Sequence, residues 1–316
     1  MHIPDGFLDG KTAVAGTVIS AGALALAMRQ IRRRLTPARV PLIGLAAAFV
    51  FAAQMLNFPV YGGTSGHLIG ATLAAVLLGP SAAMLVLSAV LILQCLLFND
   101  GGVTALGANI FNMAILATGT GYGVYLAVRR IAGSSLRVQL LATAFAAWVS
   151  TVAAAIGCAG QLALSGTVAW NLALPAMTLV HLVIGIGEAF ITTLVVAAIA
   201  RTRPELLSES SQPNLQPQAG ELVTHGLLIS LGLAIFVAPM ACSWPDGLEA
   251  IATRLGFEHK AAAPLFAAPL PDYVIPGLHS ATVGTAIAGA LGTIVAFALA
   301  YLLARWLTPA KPHTAS

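Results

Sequence analysis

Charged side chains are what this sequence has least of: Asp, Glu, Lys and Arg together make up 8% of its 316 residues, against about a quarter in soluble domains. A chain so poor in charge cannot cover a folded surface with water-seeking groups, which excludes an ordinary soluble globule. Cysteine is almost missing. Cys95, Cys158 and Cys242 lie far apart, in or at the ends of apolar runs and without C-x-x-C spacing. They read as small core residues, and neither a disulfide framework nor a thiolate metal site is indicated. No G-x-x-x-x-G-K-[ST] stretch occurs, so the chain carries no phosphate loop for ATP, and no H-E-x-x-H pair is present to equip an intramembrane metalloprotease. The first apolar stretch follows an acidic, glycine-rich start in place of a basic region, so no cleavable signal peptide is expected.

What is abundant is apolar length. Hydrophobic residues make up 58% of the chain, with runs such as "VPLIGLAAAFVFAAQML" at 40–56 and "ATVGTAIAGALGTIVAFALAYLLARWL" at 281–307. Such runs reach, or nearly reach, the length needed to cross about 30 Å of hydrocarbon as helices, and they lack the alternation of a membrane barrel. The expected fold is an all-α polytopic membrane protein. About seven spans are expected near 13–28, 40–56, 67–79, 81–97, 107–128, 138–163 and 172–200, the third and fourth, separated only by "LGP", reading equally as a tight hairpin of short helices, and two more near 223–243 and 281–304.

The basic residues orient these spans. Arg29, Arg32, Arg33, Arg34 and Arg39 fall between spans one and two; Arg129, Arg130 and Arg137 between five and six; Arg201 and Arg203 after seven; Arg305 and Lys311 after the last. Placing all of these inside leaves Lys11, Arg254 and Lys260 outside, so the positive-inside rule puts the amino terminus outside and the carboxyl terminus in the cytoplasm. Residues 204–221, rich in Pro, Ser, Gln and Glu, read as a flexible cytoplasmic linker between a module at 1–203 and a two-span module at 222–316. In the outside loop of the second module, Leu248, Ile251 and Leu255 share one face of a short amphipathic helix.

This topology brings three irregular segments to the outer face: the start "MHIPDGFL", the loop "NFPVYGGTSGHLIGATL" and the loop "FNDGGVTALGANIFNM". Non-helical backbone at membrane depth is tolerated where it is buried in protein or lines a cavity, so a small-ligand site opening outward is expected. A free amino terminus followed by X-His offers three nitrogens in sequence: the α-amine of Met1, the backbone nitrogen of His2 and the His2 Nδ1. Five- and six-membered chelate rings place them nearly in one plane, and the imidazole of His67 is the best-placed candidate for the fourth corner. Four planar nitrogens suit Ni(II) or Cu(II) rather than Mg(II) or Ca(II). Each histidine also has an ordinary reading, His2 as a residue of a mobile terminus and His67 as an interfacial helix cap.

Other polar residues are candidates for support. Ser65, Asp100, Asn109 and Asn112 stand to brace the loops or the ligands. His181 and Glu188, seven apart in "HLVIGIGEAF", share a face of span seven. Ionisable groups inside a membrane default to a functional reading; a mutual pair that orients neighbouring helices is an equal alternative.

The stretches "MHIPDGFL", "GGTSGHLIGATL", "DGGVTALGANIFNM" and "HLVIGIGEA" together resemble the CbiM/NikM family, the substrate-capture subunits of energy-coupling factor transporters for cobalt and nickel. The resemblance covers essentially residues 1–200, and "WPDGLE" resembles the PDGLE domain of the NikN-type companion subunit over about 220–307. It implies Ni(II) or Co(II) as transported substrate, with Met1, His2 and His67 as ligands, and no cofactor of the chain's own. It implies partners as well: a transmembrane coupling subunit of the CbiQ/NikQ type, and cytoplasmic ATPase subunits of the CbiO/NikO type that consume the ATP. The location implied is the inner membrane of a prokaryote. Nickel is the expected substrate, with cobalt, supplying cobalamin synthesis, as the alternative. A metal-sensing receptor is a reading of another class, and the inside segments are too short to carry a signalling output.

Overall fold

A computed structural model describes residues 1–207 and 219–308. Among these, eight helices are long and apolar enough to cross a membrane. They are α1 (Gly10–Arg34), α2 (Val40–Gln54), α4 (Pro80–Phe98), α5 (Leu106–Ala132), α6 (Leu136–Leu164), α7 (Trp170–Thr202), α8 (Gly220–Met240) and α10 (Ala281–Leu307). The protein is an all-α polytopic membrane protein. Its helix ends carry the usual signals: the Asp9 side chain caps α1 by accepting from Thr12 N at 3.0 Å, and Ser135 caps α6.

The expected third span does not form as one. Residues 58–66 make a two-stranded antiparallel hairpin, β1 (Phe58–Val60) and β2 (Thr64–Gly66), turned by Gly62 and Gly63. Only Ala71–Leu78 is helical (α3), about 12 Å at 1.5 Å per residue. Hydrophobicity alone cannot separate a buried half-helix from a span. Here the irregular stretch 56–70 covers the remaining depth, and it carries His67. Gly79 (φ 83°) then reverses the chain into α4.

Basic residues gather at one end of the bundle. Arg32 of α1 lies over the Trp306 ring of α10, 4.8 Å from its centroid, and Arg34, Arg39 and Arg129 line one crevice there. Arg254 and Lys260 are at the opposite end, where Arg254 donates to Gly62 O and Lys260 to Thr167 O. Of the expected linker, Pro204–Leu207 forms a 3-10 turn and α8 is under way by residue 220; the stretch between, with Lys311 and His313, lies outside the described residues.

The second module packs on the first. A methyl group at Gly44 of α2 would lie 3.1 Å from the Phe297 ring of α10, and one at Gly289 of α10 would lie 3.0 Å from Met55 Cε. Small residues let these backbones approach closely, as helix association in a bilayer favours. The loop after α8 then runs over the end of the bundle opposite the arginine crevice, where it forms α9 (Gly247–Leu255).

Candidate metal-capture site

The first seven residues are folded into the protein rather than trailing from it. Met1, Ile3 and Phe7 are all buried. Asn109, at the start of α5, grips Ile3 on both sides: its Oδ1 accepts from Ile3 N at 2.8 Å and its Nδ2 donates to Ile3 O at 3.1 Å. Asp5 Oδ1 accepts from Thr104 N at 2.8 Å and Thr104 Oγ1 at 2.5 Å, while Asp5 O accepts from Ala262 N at 2.8 Å. Gly6 takes φ +88°, and a Cβ there would lie 2.6 Å from Ala262 N, so both the turn and the close approach require glycine.

These contacts aim the amino terminus at His67. The Met1 amine stands 3.0 Å from His67 Nε2 and also donates to Asp246 Oδ2. His67 Nδ1 donates to Leu68 O at 3.1 Å, which leaves Nε2 as the acceptor. Burial, reinforced by the neighbouring ammonium and His2, holds the His67 pKa down to about 3, so this ring is neutral. Burial would lower the Met1 amine, but the Asp246 carboxylate overrides it and the pKa is raised. The reciprocal effect keeps Asp246 below the usual carboxylate range: burial would raise it, and the Met1 ammonium wins.

His2 stacks on His67 with ring centroids 5.3 Å apart and planes 15° from parallel. Its Nδ1 does not face Met1, as a planar chelate requires; it lies 3.0 Å from Asp100 Oδ1. Asp100 is in turn fixed by Tyr273, whose hydroxyl donates to Oδ2 at 2.7 Å. Burial works against the ionised Asp100 carboxyl, and the partners His2 and Tyr273 hold it below its ordinary range. His2 Nε2 is buried with no partner among the described residues, and the His2 backbone nitrogen donates to no acceptor there either. A cavity of about 10 Å³, touching Met1, His67, Thr151, His181 and Gly247, has room for about one water-sized occupant.

Asp246, Gly247 and Tyr273 belong to the second module and are the site residues that sequence reasoning missed. Asp246 divides its carboxylate. Oδ1 accepts from Leu248 N and Glu249 N at 2.8 and 2.9 Å, Glu249 Oε2 accepts from Asp246 N at 2.9 Å, and Oδ2 is left for the Met1 amine. The D-x-x-E spacing of "PDGLE" is the sequence signal of this capping box. Gly247 faces His181, and a Cβ there would lie 2.8 Å from the ring Cε1. Ser65 ties the hairpin to the same loop, donating its backbone N–H to Pro245 O and its hydroxyl to Trp244 O at 2.8 and 2.7 Å. The expected amphipathic face is realised in part: Leu248 and Ile251 are buried, whereas Leu255 is exposed.

Two expectations need correction. His181 and Glu188 do not pair. His181 Nδ1 donates to Met177 O one turn back at 2.8 Å, whereas Glu188 accepts from the backbone N–H groups of Ile69 and Gly70 at 2.6 and 2.9 Å. A seven-residue spacing shares a helix face, but each side chain meets a different neighbour across it. Asn112 is the second. It donates to Gln161 Oε1 at 2.7 Å inside the bundle and takes no part in the site, while Ser65, Asp100 and Asn109 do brace it.

Among the described residues, no three His, Cys, Asp or Glu side chains lie close enough to hold an ion by themselves. Residues 2–206 match the family model for the cobalt uptake substrate-specific transmembrane region, CbiM, and residues 220–309 match the PDGLE domain. The chain belongs to the CbiM family. It is 38% identical to a NikMN protein of Archaeoglobus fulgidus over 97% of this chain and 99% of that one. It is 32% identical to the fused nickel transport protein NikMN of Rhodobacter capsulatus, over 92% and 94%. A crystal structure of a truncated transition metal transporter, 38% identical, superposes with a TM-score of 0.58 over 64% of this chain and 99% of its own. Members of this family are transport components rather than enzymes, and a transition metal ion is the substrate.

Proposed function

We propose that this chain is the substrate-binding component of an energy-coupling factor transporter that imports Ni(II), with Met1, His2 and His67 as its ligands. One observation carries the reading: the chain's α-amine and the acceptor nitrogen of a neutral imidazole 66 residues away are buried 3.0 Å apart, with His2 stacked beside them. The ammonium points one N–H at His67 Nε2 and another at Asp246. Ni(II) replaces these protons, and Asp246 becomes a nearby counter-charge. Closing the six-membered ring requires the His2 imidazole to leave Asp100 by a half-turn about Cβ–Cγ, which brings Nδ1 to the metal side. Four planar nitrogens then suit Ni(II), with Co(II) next, since nitrogen sites bind neighbouring metals in graded order.

Residues 1–203 form the capture module, and 222–316 a companion module that closes over it through Asp246 and Tyr273. The arginine-bearing end faces the cytoplasm and the site faces outward across a prokaryotic inner membrane. With no phosphate loop in the chain, ATP is hydrolysed by CbiO/NikO-type partners acting through a CbiQ/NikQ-type coupling subunit. Mass spectrometry of the purified full chain tests the site. One Ni(II) per chain is expected for the native amino terminus and none for His67→Ala; equal loading of both refutes the ligand set.

A further inference from the structure

The other end of the bundle holds a larger cavity, a crevice of about 380 Å³ between the last turn of α1, the start of α2, the α3–α4 reversal and the end of α5. Arg34, Arg39 and Arg129 line it, together with Gln30 and Ser81, and no Asp or Glu is among the described residues of its lining. Glu205 lies just beyond, paired with Arg203 at 3.1 Å. Arg34 and Arg39 have no carboxylate within ion-pair distance among the described residues. Orientation in the membrane explains why arginines are at this end, but not why these converge on a hollow while Arg29, Arg33, Arg130 and Arg137 do not line it.

The crevice is two-faced. Leu35, Ile43, Val76, Leu78, Leu206 and Leu207 make an apolar side against the guanidinium groups. The first turn of α4 (Pro80, Ser81, Ala82) forms part of the wall, so the positive end of a 19-residue helix faces the same space. A soluble anion would use the charge and leave the leucines wet, whereas a phosphodiester on a glycerol backbone matches both halves. Basic hollows between membrane helices bind anionic headgroups on this principle, and arginine forks suit phosphate oxygens.

We propose that this crevice is a binding site for the headgroup of an anionic glycerophospholipid of the phosphatidylglycerol class, held by Arg34 and Arg39. The site is independent of the metal reading.

Native mass spectrometry of the full chain in detergent tests it, with phosphatidylglycerol, phosphatidylcholine and inorganic phosphate as probes. One phosphatidylglycerol should bind saturably and preferentially, and the Arg34→Gln/Arg39→Gln double variant should bind it about thirtyfold more weakly, from about five- to sixfold per arginine. Arg33→Gln/Arg130→Gln, which removes the same charge outside the crevice, should bind as the native chain does. An unchanged thermal unfolding midpoint certifies the fold of the double variant, and a double variant that unfolds early is replaced by Arg39→Lys, expected to weaken lipid binding about threefold or more. Equal binding of both lipids, equal weakening in the two double variants, or displacement of the lipid by millimolar phosphate would each overturn the proposal.

Discussion

Replacing Asp246 with Asn isolates what the second module contributes to the site. Asn caps a helix about as well as Asp, so α9 keeps its bonds from Leu248 N and Glu249 N, and the change removes only the charge facing Met1. Breaking a buried ion pair by deleting one partner costs about 3–5 kcal/mol, or two to four powers of ten in an equilibrium constant. The tip is still held through Ile3 and Asp5, and an amine left without its carboxylate sheds its proton, because burial pulls its pKa down. The lower end of that range therefore applies. At pH 7 the α-amine of Asp246→Asn should be acylated about a hundredfold faster than that of the native chain, read by mass spectrometry of the amino-terminal peptide. The linkage sign follows from the raised native pKa: the pair stabilises the fold fully below the ordinary value of 8.0 and stops doing so as pH climbs through the raised value. Equal acylation rates for the two proteins near neutrality would refute the reasoning.

Loading with Ni(II) should strengthen as pH rises below the amine pKa, because the ion displaces protons. The slope of log affinity should be about two per pH unit if the His2 amide also loses its proton and about one if the amine alone does, with no term from His67 above about pH 3; calorimetry in buffers of different ionisation enthalpy measures it, and a flat profile contradicts the amine ligand. Gly247→Ala puts a methyl group 2.8 Å from His181 Cε1; overpacking costs about 1–3 kcal/mol, so metal retention should fall while α1–α7 keep their thermal unfolding midpoint. Glu188→Ala strands the N–H groups of Ile69 and Gly70, at about 1–3 kcal/mol each; hydrogen exchange at those two amides should accelerate, and unchanged protection would remove Glu188 from its role. Extending the chain by a few residues before Met1 abolishes the α-amine and should eliminate Ni(II) loading; full loading of the extended protein would contradict the site.

The membrane fold and the meeting of Met1, His2 and His67 were legible because charge placement puts their segments at one end of the bundle, and that requires no knowledge of packing. The third span was legible only as one arm of a short-helix hairpin, not as a half-helix behind an irregular loop. "LIGATLAAVLL" is as apolar as a span, and only the Glu188 carboxylate, waiting for two backbone amides, explains why its first residues stay non-helical. Asp246 escaped for another reason: its capping-box spacing marks a helix start, but nothing local says that the spare oxygen turns to an amine 245 residues earlier in the chain. The orientation of His2 escaped too, since Asp100 competes for Nδ1.

Glu188 fixes the backbone behind His67 to α7, and Gly247 seats α9 over His181 of that same helix. Met1 and His2 are moored to the segment 100–109 by Asp100, Thr104 and Asn109, and the Met1 amine is also tied to α9 through Asp246. An ion held by both sets would bridge α7 and the start of α5, both of which pack on α6. Metal–nitrogen bonds of about 2 Å tolerate only tenths of an ångström, so displacement of α7 from the 100–109 segment by little more than a bond's slack would open the coordination sphere. The cargo could then be surrendered with every donor still in its own fold, by parting the walls to which the donors are attached.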